Sequence, residues 1–196
     1  MPDTTVNIGE KIKSLRTARA MSVEEVAELS GISSENLREM EGNTMSPPLG
    51  NIVSLAKVFE VPVGDFFGDS GDSPFSIVRS NAGTKVSRFG AAYSESCGYA
   101  YQGLGQQKRN RQMEPFLVTL NPTESHKAEA NQHIGEEFIF VLEGEVEVNL
   151  LDHRDILNQG DSIYYDSNVP HIISCHGNKP ATILAVIYAK EEMIIL

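Results

Sequence analysis

Over the first third of the chain the apolar residues recur at helical spacing in short bursts: Ile8, Ile12 and Leu15, then Val23, Val26 and Ala27, then Leu37 and Met40, then Ile52, Leu55, Ala56 and Phe59. Positions three and four apart fall on one helical face, so the pattern predicts four or five short helices between Ile8 and Phe67. The run Ser22-Val23-Glu24-Glu25 has the form of a capping box, with a hydroxyl for a backbone N–H three residues on and a carboxylate reaching back, and it predicts a helix start. Gly31 can take the left-handed conformation that ends a helix, and Ser33 or Ser34 can cap the next one. Two helices joined by so few residues form a tight turn.

From Phe66 to Pro74 the sequence changes to Phe-Phe-Gly-Asp-Ser-Gly-Asp-Ser-Pro, which suits a turn or linker and cannot bury a core. This places domain boundaries at residues 1–67, a linker at 68–74 and a second domain at 75–196. Beyond the linker the pattern turns to short β-type runs: Phe75 to Val78, Lys85 to Phe89, Tyr99 to Leu104, Pro115 to Leu120, Glu137 to Leu142, Glu145 to Leu150, Ser162 to Tyr165, His171 to Ser174 and Ala181 to Tyr188. The alternation in Glu145-Val146-Glu147-Val148-Asn149-Leu150 turns the valines and the leucine toward a core and the acidic residues toward water. Many strands with few helical signals predict a sandwich or barrel.

Composition narrows the function classes. No stretch approaches the length of a membrane span and Met1 to Ile8 lacks the features of a signal peptide, which places the chain in the cytoplasm. Cys97 and Cys175 are far apart and show no zinc-type spacing, so reduced thiols are expected. The net charge is −11, and residues 1–70 hold six Lys or Arg against eleven Asp or Glu. Phosphate contacts require Lys and Arg, so any contact with nucleic acid is confined to a local surface.

The N-terminal segment resembles the phage-repressor-like (XRE) helix-turn-helix family through Ile8-x-x-x-Ile12-x-x-Leu15-Arg16, Ser22-Val-Glu-Glu-Val-Ala27, Ser30-Gly31-Ile32-Ser33, Leu37, Glu41-Gly42 and the stretch from Pro47 to Phe59. The resemblance implies an all-α, lambda-repressor-like domain that binds double-stranded DNA. Its second helix would enter the major groove with Ser33, Ser34, Glu35, Asn36 and Arg38, while Lys11, Lys13, Arg16 and Arg19 suit either phosphate contacts or an ordinary solvated face. Glu41 is expected to be structural. Two-fold related half-sites imply a homodimer.

The C-terminal segment resembles the cupin superfamily. Its first motif reads Asn131-Gln-His133-Ile-Gly-Glu-Glu137-Phe-Ile-Phe-Val-Leu-Glu-Gly144, with Asn131 in place of a family histidine. The second reads Gly160-Asp-Ser-Ile-Tyr-Tyr followed by Val169-Pro170-His171. The resemblance implies an all-β jelly-roll barrel that senses a small-molecule effector or a metal. His133, Glu137 and His171 make a two-histidine, one-carboxylate set suited to a divalent ion such as iron, with zinc or nickel as alternatives. The same three residues also suit a metal-free polar pocket. His133 and Glu137 are four apart, so a straight strand would carry them on one face. Tyr99 and Tyr101 alternate onto one strand face, as pocket or as core, and Cys97 can share it. Lys108-Arg109-Asn110-Arg111 is the one dense basic cluster, fit for an anion, a solvated turn or a subunit contact. His126, His153 and His176 read as loop residues.

The stretch from His133 to Glu145 is also similar to the iron site of hydroxypropylphosphonic acid epoxidase, which likewise joins a helix-turn-helix to a cupin. Tyr101 matches a substrate-contacting tyrosine there, whereas a lysine and an asparagine of that family are replaced by Ala20 and Ala130. This similarity implies a second reading, a mononuclear iron(II) oxygenase. No Ser-His-Asp or Cys-His arrangement and no phosphate-binding glycine loop is legible, so a metal in the barrel is the visible candidate catalyst.

Overall fold

The computed structural model describes residues 7–68, 72–80, 98–108, 110–122 and 130–188. Four helices come first: α1 (Ile8–Ala18), α2 (Val23–Ser30), α3 (Ser34–Glu41) and α4 (Leu49–Val58), followed by a 3-10 turn at Val63–Phe67. Their ends follow from local chemistry. Asn7 and Ser33 accept from backbone N–H groups at the starts of α1 and α3. Ser22 and Glu25 form the complete capping box of α2, and Gly31 ends that helix at φ 72°. Replacing a cap of this kind by alanine costs about 1 kcal/mol.

The buried faces of these helices meet in one core of Ile8, Ile12, Val26, Leu37, Met40, Ile52, Leu55, Phe59 and Phe66. One ion pair is built into it. Arg16 of α1 donates to both carboxylate oxygens of Glu41 at the end of α3, at 2.6 and 2.8 Å, and also to the Met21 carbonyl at 3.0 Å. The two side chains are only 13% and 8% exposed.

Among the described residues eight strands follow: β1 (Tyr99–Gly103), β2 (Met113–Leu120), β3 (Glu136–Glu143), β4 (Val146–Leu150), β5 (His153–Leu157), β6 (Ser162–Asp166), β7 (His171–Cys175) and β8 (Ala181–Tyr188). They form a five-stranded sheet in the order β1-β2-β8-β3-β6 and a three-stranded sheet in the order β5-β4-β7. All pairings are antiparallel. Alternate residues such as Phe116, Val118, Ile139, Val141, Val146, Val148, Ile183 and Ile187 are buried.

Two sequence expectations need correction. Phe75 to Val78 is not a strand; Phe75 and Ile77 are 62% and 56% exposed, and among the described residues no strand pairs with this segment. His153 is not in a loop but opens β5, an edge strand whose nearly continuous exposure leaves no alternation to read. The expected strand at Lys85 to Phe89, together with Cys97, Arg109 and His126, lies outside the described residues.

The helical and β halves touch through aromatic rings. Phe67 packs on Phe116 at 4.6 Å and on Tyr101 at 5.9 Å between ring centroids, and Gln106 Nε2 donates to the Phe67 carbonyl at 3.0 Å.

Candidate functional site

The loop before β3, β3 itself and the start of β7 bring three metal-type side chains together. His133 precedes β3 rather than lying on it, and its N–H bonds the Ser167 carbonyl at 2.9 Å. The shared strand face expected from the i, i+4 spacing is therefore replaced by a loop held against the turn after β6. Asn131 and His171 exchange backbone hydrogen bonds at 2.8 and 2.9 Å, and the rings of His133 and His171 lie 5.6 Å apart. Candidate ligand atoms of His133, Glu137 and His171 lie within 4.8 Å of one another, and all three residues are buried.

The donor set fits a metal ion. His171 Nδ1 faces the Val169 carbonyl at 2.9 Å. A carbonyl only accepts, so Nδ1 carries the proton and Nε2 presents its lone pair. His133 Nε2 lies 2.7 Å from Glu137 Oε1, and His171 Nε2 lies 3.8 Å from the same oxygen. Donors about 2.1 Å from one ion stand about 3 Å apart, so small side-chain shifts would complete such a set. Glu137 Oε2 accepts from the Tyr165 hydroxyl at 2.5 Å. Burial raises the pKa of Glu137, but the hydrogen bond from His133, that ring's charge, the Tyr165 hydroxyl and His171 outweigh it, and the carboxyl lies below its ordinary value. Burial lowers the pKa of His171, against the pull of Glu137, which favours the neutral, ligating imidazole.

An open cleft adjoins the triad. Tyr99, Tyr101 and Asn131 all line it, with Leu120, Ile139 and Ile183. The two tyrosine rings stack at 6.0 Å, and Tyr101 is fully buried, so it serves core and pocket at once. Burial raises the Tyr99 pKa to about 12, and Tyr101 is also raised well above its ordinary value, so both phenols are neutral at physiological pH.

On the helical half, Ser33, Glu35 and Arg38 are exposed and Ser34 is half-buried. Asn36 departs from the expected outward set: it is 8% exposed, on the same side of α3 as Leu37 and Met40. Arg38 pairs with Glu24 on the neighbouring helix, both well exposed. The expectation of phosphate contacts from α1 fails for Arg16, which is committed to Glu41, and Arg19 lies over the Phe59 ring and donates to that residue's carbonyl. In the basic cluster, Arg111 is held by Glu114 at 2.7 Å in a largely buried pair.

Residues 12–66 match the helix-turn-helix family and residues 116–187 match the cupin domain family. The chain joins a helix-turn-helix domain to a cupin domain. It is 25% identical over 191 residues to the HTH-type transcriptional regulator PuuR of Escherichia coli, covering 96% of this chain and 97% of that one. A crystal structure of an HTH_3 family transcriptional regulator from Vibrio cholerae superposes with a TM-score of 0.59 at 22% identity, covering 95% of this chain and 97% of that chain. The (S)-2-hydroxypropylphosphonic acid epoxidase of Streptomyces wedmorensis is 32% identical over 94 residues, 45% of this chain and 48% of that protein.

Two parts of the cupin site escaped sequence reasoning. Tyr165 is the direct cross-strand partner of Glu137 between β6 and β3, a register that no sequence spacing reveals. The other is Pro48, Leu49 and Gly50 at the start of α4, which line the cleft although they belong to the helix-turn-helix domain. Among the described residues no helix is long and apolar enough to cross a membrane.

Proposed function

We infer that this chain is a cytoplasmic transcriptional regulator that binds double-stranded DNA as a homodimer through α3 and answers to a small organic effector or a divalent metal in its cupin. The helical domain would run through Phe67, the linker over 68–74 and the sensor from 75. Whole-length similarity to a regulator of the same two-domain build carries this reading. On α3, Ser33, Ser34, Glu35 and Arg38 are the candidates for groove contacts, and Asn36 acts in packing.

Selection of bound duplexes from a random library, followed by titration at several salt concentrations, tests the DNA reading. A regulator yields a near-palindromic site and an affinity that falls with salt. Failure to enrich any sequence would overturn it, and a strict monomer by light scattering would overturn the dimer.

The triad and the local similarity to the epoxidase favour a second reading, an iron(II) oxygenase. Iron(II) bound there would supply open coordination positions for oxygen and substrate. The chain's own part would be to hold the ion with His133, Glu137 and His171, to orient Glu137 through Tyr165, and to shield the cleft with Tyr99 and Tyr101. Oxygen uptake that requires iron and vanishes in His133→Ala would establish this reading.

A further inference from the structure

The cleft over the triad is not walled by the barrel alone. Pro48, the N-cap of α4, and Leu49 and Gly50, its first residues, form part of its lining. A Cβ on Gly50 would stand 2.9 Å from Asn131 Cβ and 3.1 Å from His133 Cδ2, so only a glycine lets the helix backbone rest on this imidazole. Two hydrogen bonds hold the preceding residues to β1: Ser46 Oγ donates to the Tyr99 carbonyl at 2.7 Å, and the Tyr101 hydroxyl donates to the Pro47 carbonyl at 2.8 Å. On its other side α4 packs against α2, and α2 packs in turn against α3. Ile52 and Leu55 of α4 are fully buried in the same helical core as Val26 of α2 and Leu37 and Met40 of α3.

We propose that the cupin pocket is an interdomain site roofed by Pro48, Leu49 and Gly50, so that an ion seated on His133, Glu137 and His171 is coupled through Gly50 to the helix pair that faces DNA. The ligand class follows from the lining: a small organic molecule with one metal-coordinating polar end and an apolar body lying against Leu120, Ile139 and Ile183. An ion that fixes the His133 ring fixes the surface on which α4 sits. Ordering one then favours ordering the other, a coupling that is reciprocal. The inference rests on the reading of the triad as a metal site, and the test separates the two.

Backbone hydrogen exchange of the full chain is followed by mass spectrometry with and without cobalt(II) alone, with bound cobalt counted in parallel and His171→Ala as the control that loses the ion. Exchange across residues 46–55 is expected to slow about tenfold when cobalt is bound, and not in His171→Ala. Cobalt bound with unchanged or faster exchange there overturns the interdomain site and leaves the metal reading standing. No cobalt bound overturns both. Gly50→Ala gives a second reading: alanine favours the helix more than glycine does, yet its methyl group cannot share space with Asn131 and His133. Its cobalt affinity is expected to fall about tenfold; an unchanged affinity overturns the role given to Gly50.

Discussion

Replacing Arg16 by Met separates a structural from a DNA-contacting role for this arginine. In the folded chain its guanidinium meets both oxygens of Glu41 at 2.6 and 2.8 Å, with the side chains 13% and 8% exposed. Methionine keeps much of the volume but leaves the Glu41 carboxylate shielded from water without its partner, and the Met21 carbonyl loses its donor as well. Stripping one member from a buried pair costs about 3 to 5 kcal/mol. The residual exposure of this pair argues for the lower end, about 3 kcal/mol. With a urea dependence of about 1 to 3 kcal/mol per M, the unfolding midpoint should drop by about 1 to 3 M. The double variant Arg16→Met with Glu41→Leu removes the orphaned charge and should recover most of the loss, giving a coupling energy of about 2 kcal/mol. If Arg16→Met costs less than about 0.5 kcal/mol, or if it weakens DNA binding at wild-type stability, the structural assignment of Arg16 is wrong.

Arg38→Ala, which breaks an exposed pair with Glu24, should leave stability within about 0.5 kcal/mol of wild type but reduce the salt slope of DNA binding by about 1, as read by fluorescence anisotropy. Glu24→Gln should raise DNA affinity by releasing Arg38 toward phosphate, and an unchanged affinity would remove Arg38 from the interface. Tyr165→Phe removes the hydroxyl on Glu137 Oε2 and should weaken cobalt(II) binding by about 10- to 100-fold in a competition titration; equal affinity would show that the carboxylate needs no such support. Glu25 has its pKa lowered by hydrogen bonds from the Ser22 backbone and side chain. Its contribution to stability is therefore full above the unfolded value of 4.5 and lost as pH falls through the lower folded value. Unfolding midpoints measured from pH 3 to 6 should fall less steeply in Glu25→Gln than in wild type, and parallel curves would contradict this.

Much of the architecture was legible because it rests on local rules. Ser22, Glu25, Gly31 and Ser33 act through residues within four positions, and each holds the place that its chemistry predicts. The strands from Tyr99 onward were visible where alternation separates a buried face from a wet one, as in Val146 and Val148, and invisible at β5, where it does not. His133, Glu137 and His171 were legible through the motifs around them, but their arrangement was not: the histidine ring reaches Glu137 from a loop tied to Ser167, not along a strand. Contacts between distant segments were hidden for the same reason. The resemblance to the helix-turn-helix family implied a DNA-facing place for Arg16 and an outward role for Asn36, whereas tertiary packing gives Arg16 the carboxylate of Glu41 and draws Asn36 inward. Nothing in the residues Pro48-Leu49-Gly50 announces a barrel beneath them.

The position of β8 in the large sheet bears on how the chain acquires its shape during synthesis. β8 lies between β2 and β3, so the β1-β2 pair on one side and the β3-β6 pair on the other are not joined into one sheet until residues 181–188 have been made. The helical domain relies on contacts close in sequence and can form while the ribosome is still translating the barrel. A nascent chain halted before residue 181 would therefore carry a formed DNA-facing domain beside two unclosed strand edges, a species open to aggregation and to capture by chaperones.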